Sequence, residues 1–162
     1  MKYFLFLVMA FSGISYATTW QVGPTREFKT PSAVATLVQD GDVVYIDSAD
    51  YHGDVCTWSA NNLTLRGYNG RPRLFANGKS AGGKAIWVIK GNNTTVSNIE
   101  FIECKVPDKN GAGIRQEGTN LMVQVCAFRR NEMGILAGNN MLSTIIVEYS
   151  EFEQNGYGDG YS

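Results

Sequence analysis

The chain has little of what most catalytic and metal-binding proteins display. It carries one histidine, His52, and three cysteines, Cys56, Cys104 and Cys126. Their spacing matches no zinc-ligand pattern. An odd cysteine count excludes a complete disulfide framework, and the thiols read instead as small buried side chains. A positive excess is missing as well, since 14 basic side chains stand against 15 acidic ones. That balance offers no basic patch of the kind nucleic acid needs. After residue 17 no apolar run is long enough to span a bilayer as a helix. Helical patterning is scarce too, and only "TPSAVATLVQ" carries it. Thr30 stands as an N-cap, Pro31 suits the first turn, Val34, Leu37 and Val38 fall at helical spacing, and Gly41 ends the run. The pattern predicts a short α-helix over residues 31–39.

What is present begins with a leader. Lys2 precedes the apolar stretch "YFLFLVMAF", and Ser15 and Ala17 supply small residues three and one before a cut at Thr18. This reads as a secretory signal peptide over residues 1–17. The mature chain then starts at Thr18 and belongs outside the cytoplasm, whether secreted, periplasmic or on the cell surface.

Glycine is abundant, at 18 residues, and Asn-Gly, Gly-Asn and Asn-Asn turn signals recur. Under them lies a repeat. "VIKGNNTTVSNIEF" and "RQEGTNLMVQVCAF" superpose without a gap: Gly91 meets Gly118, Asn93 meets Asn120, Val96 meets Val123 and Phe101 meets Phe128, each at an offset of 27. A third copy returns Ile114 as Ile135, Asn120 as Asn140 and Phe128 as Phe152, at offsets of 21, 20 and 24. An earlier, weaker copy is "SANNLTLRGYNG". Leucine-rich repeats would need a regular leucine frame, and propeller blades would need units of about 40 residues. A right-handed parallel β-helix accounts for the recurrence, because stacked coils place equivalent residues directly above one another at about 4.8 Å.

The expected architecture is therefore all-β: a single-stranded right-handed parallel β-helix over residues 41–162, with an N-terminal cap over 18–40 containing the short helix. Inward ladders should be Phe101–Phe128–Phe152, Val96–Val123–Val147, Ile99–Cys126–Ser150 and Trp87–Ile114–Ile135. Cys104, Asn131 and Asn155 should share a turn. No cap is evident at the C-terminal end, which leads us to expect further coils or a partner chain there.

With "PSAVATLVQDGDVVYI", "NLTLRG" and stacked "GI…N…V…CAF…N" units behind a signal peptide, the chain resembles the bacterial right-handed β-helix proteins of the pectin lyase-like superfamily. That resemblance implies an exported protein acting on acidic polysaccharide, by lyase-type β-elimination where it is catalytic. It equally accommodates a non-catalytic glycan-binding or surface-structural module. It also implies Ca²⁺ as a candidate cation, although the residues themselves name no metal-ligand set.

A lyase needs a base, a cation to neutralise the uronate carboxylate and a donor for the leaving group. "GIRQEG" is the best local candidate for such a centre. With Ile114 inward, alternation turns Arg115 and Glu117 outward, and Lys90 lies one coil before Glu117. The same trio also reads as a solvated ion pair between coils. "FRRNE" offers Arg129 and Arg130 for an anionic glycan, or ordinary turn charge. Trp58 is a candidate platform for a sugar ring. "DSADYHGD" gathers Asp47, Asp50, His52 and Asp54, a candidate Ca²⁺ loop that lacks EF-hand spacing.

Overall fold

The computed structural model describes residues 17–156. The expected leader lies almost wholly outside these residues, as do positions 157–162.

After a first strand, β1 (Thr19–Val22), the chain winds through three sheets in turn. β2 (Val43–Asp47), β3 (Asp50–His52) and β4 (Cys56–Trp58) make one coil. β5 (Thr64–Tyr68), β6 (Arg73–Phe75) and β7 (Ala85–Ile89) make the next. β8 (Thr94–Ser97), β9 (Glu100–Ile102) and β10 (Ala112–Gln116) follow, then β11 (Leu121–Gln124), β12 (Ala127–Arg129) and β13 (Met133–Leu136). β14 (Ile145–Glu148) and β15 (Glu151–Glu153) complete the last described turn. The result is a parallel β-helix of three faces. The first has six strands, β1-β2-β5-β8-β11-β14; the second has five, β15-β12-β9-β6-β3; the third has four, β13-β10-β7-β4. Every strand pair is parallel.

The inward ladders match the repeat. Phe101, Phe128 and Phe152 stack with ring centroids 5.2 and 4.8 Å apart and planes within 9 and 13° of parallel. Val96, Val123 and Val147 are in register, as are Trp87, Ile114 and Ile135. Cys126 donates its amide to the Ser150 hydroxyl at 3.1 Å, which places those two on one rung. The β10 strand breaks simple alternation to make this core. Gly113 and Ile114 both turn inward, and a Cβ on Gly113 would stand 2.6 Å from Phe128 Cδ1. Only a residue without a side chain lets the ring stack pass.

Three sets of equivalent corners are turned by residues in the left-handed region. Asn62, Asn93 and Asn120, at φ of 56, 54 and 55°, lead into the six-stranded face. Asn98, Val125 and Tyr149, at 56, 55 and 49°, lead out of it. Glu103, Arg130 and Gln154, at 61, 54 and 53°, leave the five-stranded face.

Two expectations need correction. The α-helix over 31–39 is instead a 3₁₀ turn at Pro31–Ala33 followed by further turns. Thr30 makes no side-chain cap, and both the amide and the hydroxyl of Ser32 are committed to Asp54. Val34, Thr36 and Val38 are β-branched, which weakens helix propagation. The segment still caps the end, because Val34 and Val38 bury at 0 and 9 % exposure. Second, Asn140 does not occupy the rung of Asn120. Leu121 pairs with Ile145, so Thr144 takes that rung and donates its hydroxyl to Asn120 Oδ1 at 3.2 Å.

Candidate functional site

The third face carries the trio expected at "GIRQEG". Ile114 is buried and Arg115 turns outward, in register with Val88 and Leu136. Arg115 Nη1 donates to the Ala137 carbonyl at 3.1 Å, and its Nε stands 3.9 Å from Glu117 Oε1. That separation is an ion pair and not a hydrogen bond. The Glu117 amide donates to the Ile89 carbonyl at 2.8 Å, so Glu117 rides one coil above exposed Lys90. Lys90 makes no ion pair among the described residues. The three share an edge, then, without converging on one point.

On the five-stranded face both arginines are committed to carboxylates. Arg129 Nε reaches Glu100 at 2.8 Å, and its terminal nitrogens reach Glu151 at 2.7 Å and Glu153. Ala127, between Glu100 and Glu151 in the register, is small enough for that diagonal reach. Arg130 pairs with Glu103 at 2.8 Å. Arg71, ahead of β6, also reaches Glu151, at 3.2 Å, and with Arg129 holds its carboxyl below the usual range. The glutamate of "FRRNE" is structural too. Glu132 is buried and accepts from the amides of Val106 and Gly111 at 2.9 and 2.7 Å, closing the 104–111 loop.

Trp58 is not a platform. It is 0 % exposed, points into the coil and meets Trp87 edge-on at 5.3 Å. Its neighbours in register, Ile89 inward and Thr57 outward in the strand, follow the alternation that buries it. The acidic loop is likewise dispersed. Asp47 pairs with Arg26, Asp50 takes Arg73 through two bonds of 2.6 and 2.7 Å, Asp54 holds Ser32, and His52 stacks on Phe75 at 4.7 Å. No cluster of three or more metal-ligating side chains occurs among the described residues. These carboxylates, already held by cations and N–H donors, do not fit a Ca²⁺ site. The thiols are buried, and burial pushes Cys104 up to about 12 and Cys126 up to about 11.

The six-stranded face holds what the repeat did not single out. One outward line runs Tyr45, Arg66, Ser97, Gln124, Glu148 in strict register. Tyr68, the next outward residue on β5, lies against Tyr45 with centroids 5.4 Å apart. Arg66, Ser97, Asn98, Gln124, Val125 and Tyr149 line a groove of about 380 Å³. Arg66 is exposed and is the one arginine among the described residues with no carboxylate partner. Its register neighbours are Tyr45 and Ser97. Glu148 lies three strands away, about 14 Å at the usual strand spacing, and takes a bond from Gln124 at 2.9 Å. The alternation in "NLTLRG" already turns Arg66 outward. Only stacking shows that no acid stands beside it.

No protein-family model, no curated protein and no solved structure matches the chain.

Proposed function

We propose that this is an exported glycan-binding β-helix whose ligand is an acidic polysaccharide, held along the six-stranded face. The observation that carries this reading is Arg66. A guanidinium without an internal partner, set in a groove of hydroxyl and amide side chains, is suited to bidentate capture of a carboxylate. The Tyr45–Tyr68 pair beside it gives an aromatic surface with polar tips, suited to a sugar ring. Flat parallel strands repeat these polar positions along the direction in which a polymer would lie.

A lyase-like enzyme acting by β-elimination is the second reading. It has less support, because the one arginine without a carboxylate partner among the described residues and the outward candidate base are on different faces: Arg66 on the six-stranded one and Glu117 at the edge of the four-stranded one, where unpaired Lys90 offers a point charge and no bidentate fork. Arg115, the cation nearest Glu117, is already engaged by the Ala137 carbonyl.

Affinity electrophoresis through gels containing polygalacturonate, alginate or a neutral glucan tests the proposal. The wild type should be retarded by an acidic polymer, less so as salt rises, since screening weakens exposed charge pairs. Arg66→Ala should weaken that retention by about 10- to 100-fold, the range of a lost charge-assisted bond. Arg130→Ala should leave it unchanged. Equal retention of wild type and Arg66→Ala would overturn the binding face. Ultraviolet detection of unsaturated uronate product in the same mixtures would move the assignment to the enzyme.

A further inference from the structure

Asp42 is a carboxylate 2 % exposed to solvent, at the point where the capping turns meet the first strands. It accepts three N–H groups from two separate stretches of chain, the β1 segment and the capping turns. Thr18 N donates at 2.7 Å, Trp20 Nε1 at 2.7 Å and Gln39 N at 2.9 Å. Burial drives the carboxyl's pKa up, and the bonds from Gln39, Trp20 and Thr18 together outweigh it, leaving it below the ordinary value. No ionised side chain acts on it from β1, β2 or the 31–39 turns. Asp40, close in sequence, turns away to the amide and side chain of Asn61. The other side of Thr18 is fixed as well, since its carbonyl accepts the Val43 amide at 2.9 Å.

Ser15 and Ala17 place the leader cut immediately before Thr18, on sequence grounds that owe nothing to Asp42. The atom such a cut would free is the one already resting on the buried carboxylate.

We propose that leader removal creates an α-ammonium at Thr18 that docks on Asp42, so that processing itself fastens β1 to the β-helix. Hydrolysis of the Ala17–Thr18 amide by an exported endopeptidase consumes one water. It leaves a carboxylate on Ala17 and an ammonium on Thr18. A neutral amide bond at this position thereby becomes a charge-assisted one, about twice as strong. The negative carboxylate, which has no cationic partner among the described residues, gains its counter-charge on cleavage. Trp20, whose indole shares the same carboxylate and whose ring packs on Phe28 at 5.5 Å, is drawn into the lock.

Four chains test this: one beginning at Thr18, one retaining Ser15–Ala17 ahead of it, and each of these two with Asp42→Asn. The exported protein should have Thr18 as its first residue by mass spectrometry, and any other terminus overturns the proposal. At pH 6 the Thr18 chain should melt roughly 3–6 °C above the extended one. A free α-amine titrates near 8, and a carboxylate partner raises that value. The advantage is therefore fully present below about pH 8 and is lost as pH rises through the raised folded value. Asp42→Asn should remove the difference between starting points. Equal melting of the two wild-type chains overturns the lock, as does a gap that persists above pH 10 or in Asp42→Asn. Should Asp42→Asn fail to fold, the α-amine pKa of the Thr18 chain, read by ¹⁵N chemical shift, decides. A value above 8 supports the pair, and a value of 7.7–8.0, that of a free terminus, overturns it.

Discussion

Val125 sits at φ 55° with 44 % of its surface exposed. The left-handed region costs an L-residue about 1–2 kcal/mol, and a β-branched side chain fares worst there. Asn98, one coil earlier at the same corner, adopts the conformation at little cost and donates its side-chain amide to the Gly70 carbonyl at 2.8 Å. Val125→Asn should thus raise stability by about 1 kcal/mol, seen as a higher denaturant midpoint at unchanged slope. An unchanged or lower midpoint would mean the corner is not strained. Because Val125 also lines the Arg66 groove, the same variant shows whether that strain shapes the binding face.

Two kinds of asparagine ladder stabilise the turns, and their burial sets their weight. Asn93 and Asn120 pass a side-chain bond of 2.9 Å along an exposed corner. Asn131 is 1 % exposed and does more. Its Oδ1 accepts the Cys104 amide at 2.9 Å, and its Nδ2 donates to the Phe101 carbonyl at 3.0 Å and to Asn155 at 3.1 Å. Asn155 repeats the move one coil on, donating to the Phe128 carbonyl at 2.8 Å. Asn131→Ala strands a buried N–H and a buried carbonyl and should cost about 2–4 kcal/mol, whereas Asn93→Gly, which removes the exposed bonds and keeps the left-handed corner unstrained, should cost under about 1 kcal/mol. Paired equilibrium denaturation checks the ranking, and equal losses would contradict it.

As a whole the molecule is a stack in which each coil touches chiefly its neighbours, so stability should grade along the axis. The middle coils are covered on both sides: Val96, Phe101, Val123 and Phe128 are all 0 % exposed. Among the described residues the rung of β14 and β15 is covered on one side only, with Val147 at 40 % and Phe152 at 52 % exposure. Amides of β8, β9, β11 and β12 should exchange slowest with deuterium, and those of β14 and β15 fastest. Equal protection at β9 and β15 would show that the stack opens only as one unit. The five-stranded face is largely self-neutralised through Arg71, Arg73, Arg129 and Arg130, whereas the six-stranded face holds Arg66, the one arginine among the described residues without a carboxylate partner.

Sequence alone determined the stack. Repetition at matching positions requires coils whose equivalent residues coincide, and that is why the phenylalanine, valine and Asn131 rungs could be named before any coordinates. It also reached the outward direction of Arg115 and Glu117, since alternation is a local property of strands. Tertiary structure decided what lies beside each residue. A turn insertion shifts register, so Thr144 and not Asn140 follows Asn120. Trp58 falls on the inner side of a three-residue strand too short to display its period. Glu103, Val125, Arg130, Tyr149 and Gln154 adopt left-handed corners that their own preferences oppose, because the stack fixes where each corner falls. Whether an arginine is free depends on the coils above and below it, which are separated from it by 20 or more residues of chain and only a strand's width of space. Arg66 and the Thr18–Asp42 contact became visible for that reason only when the coils were stacked.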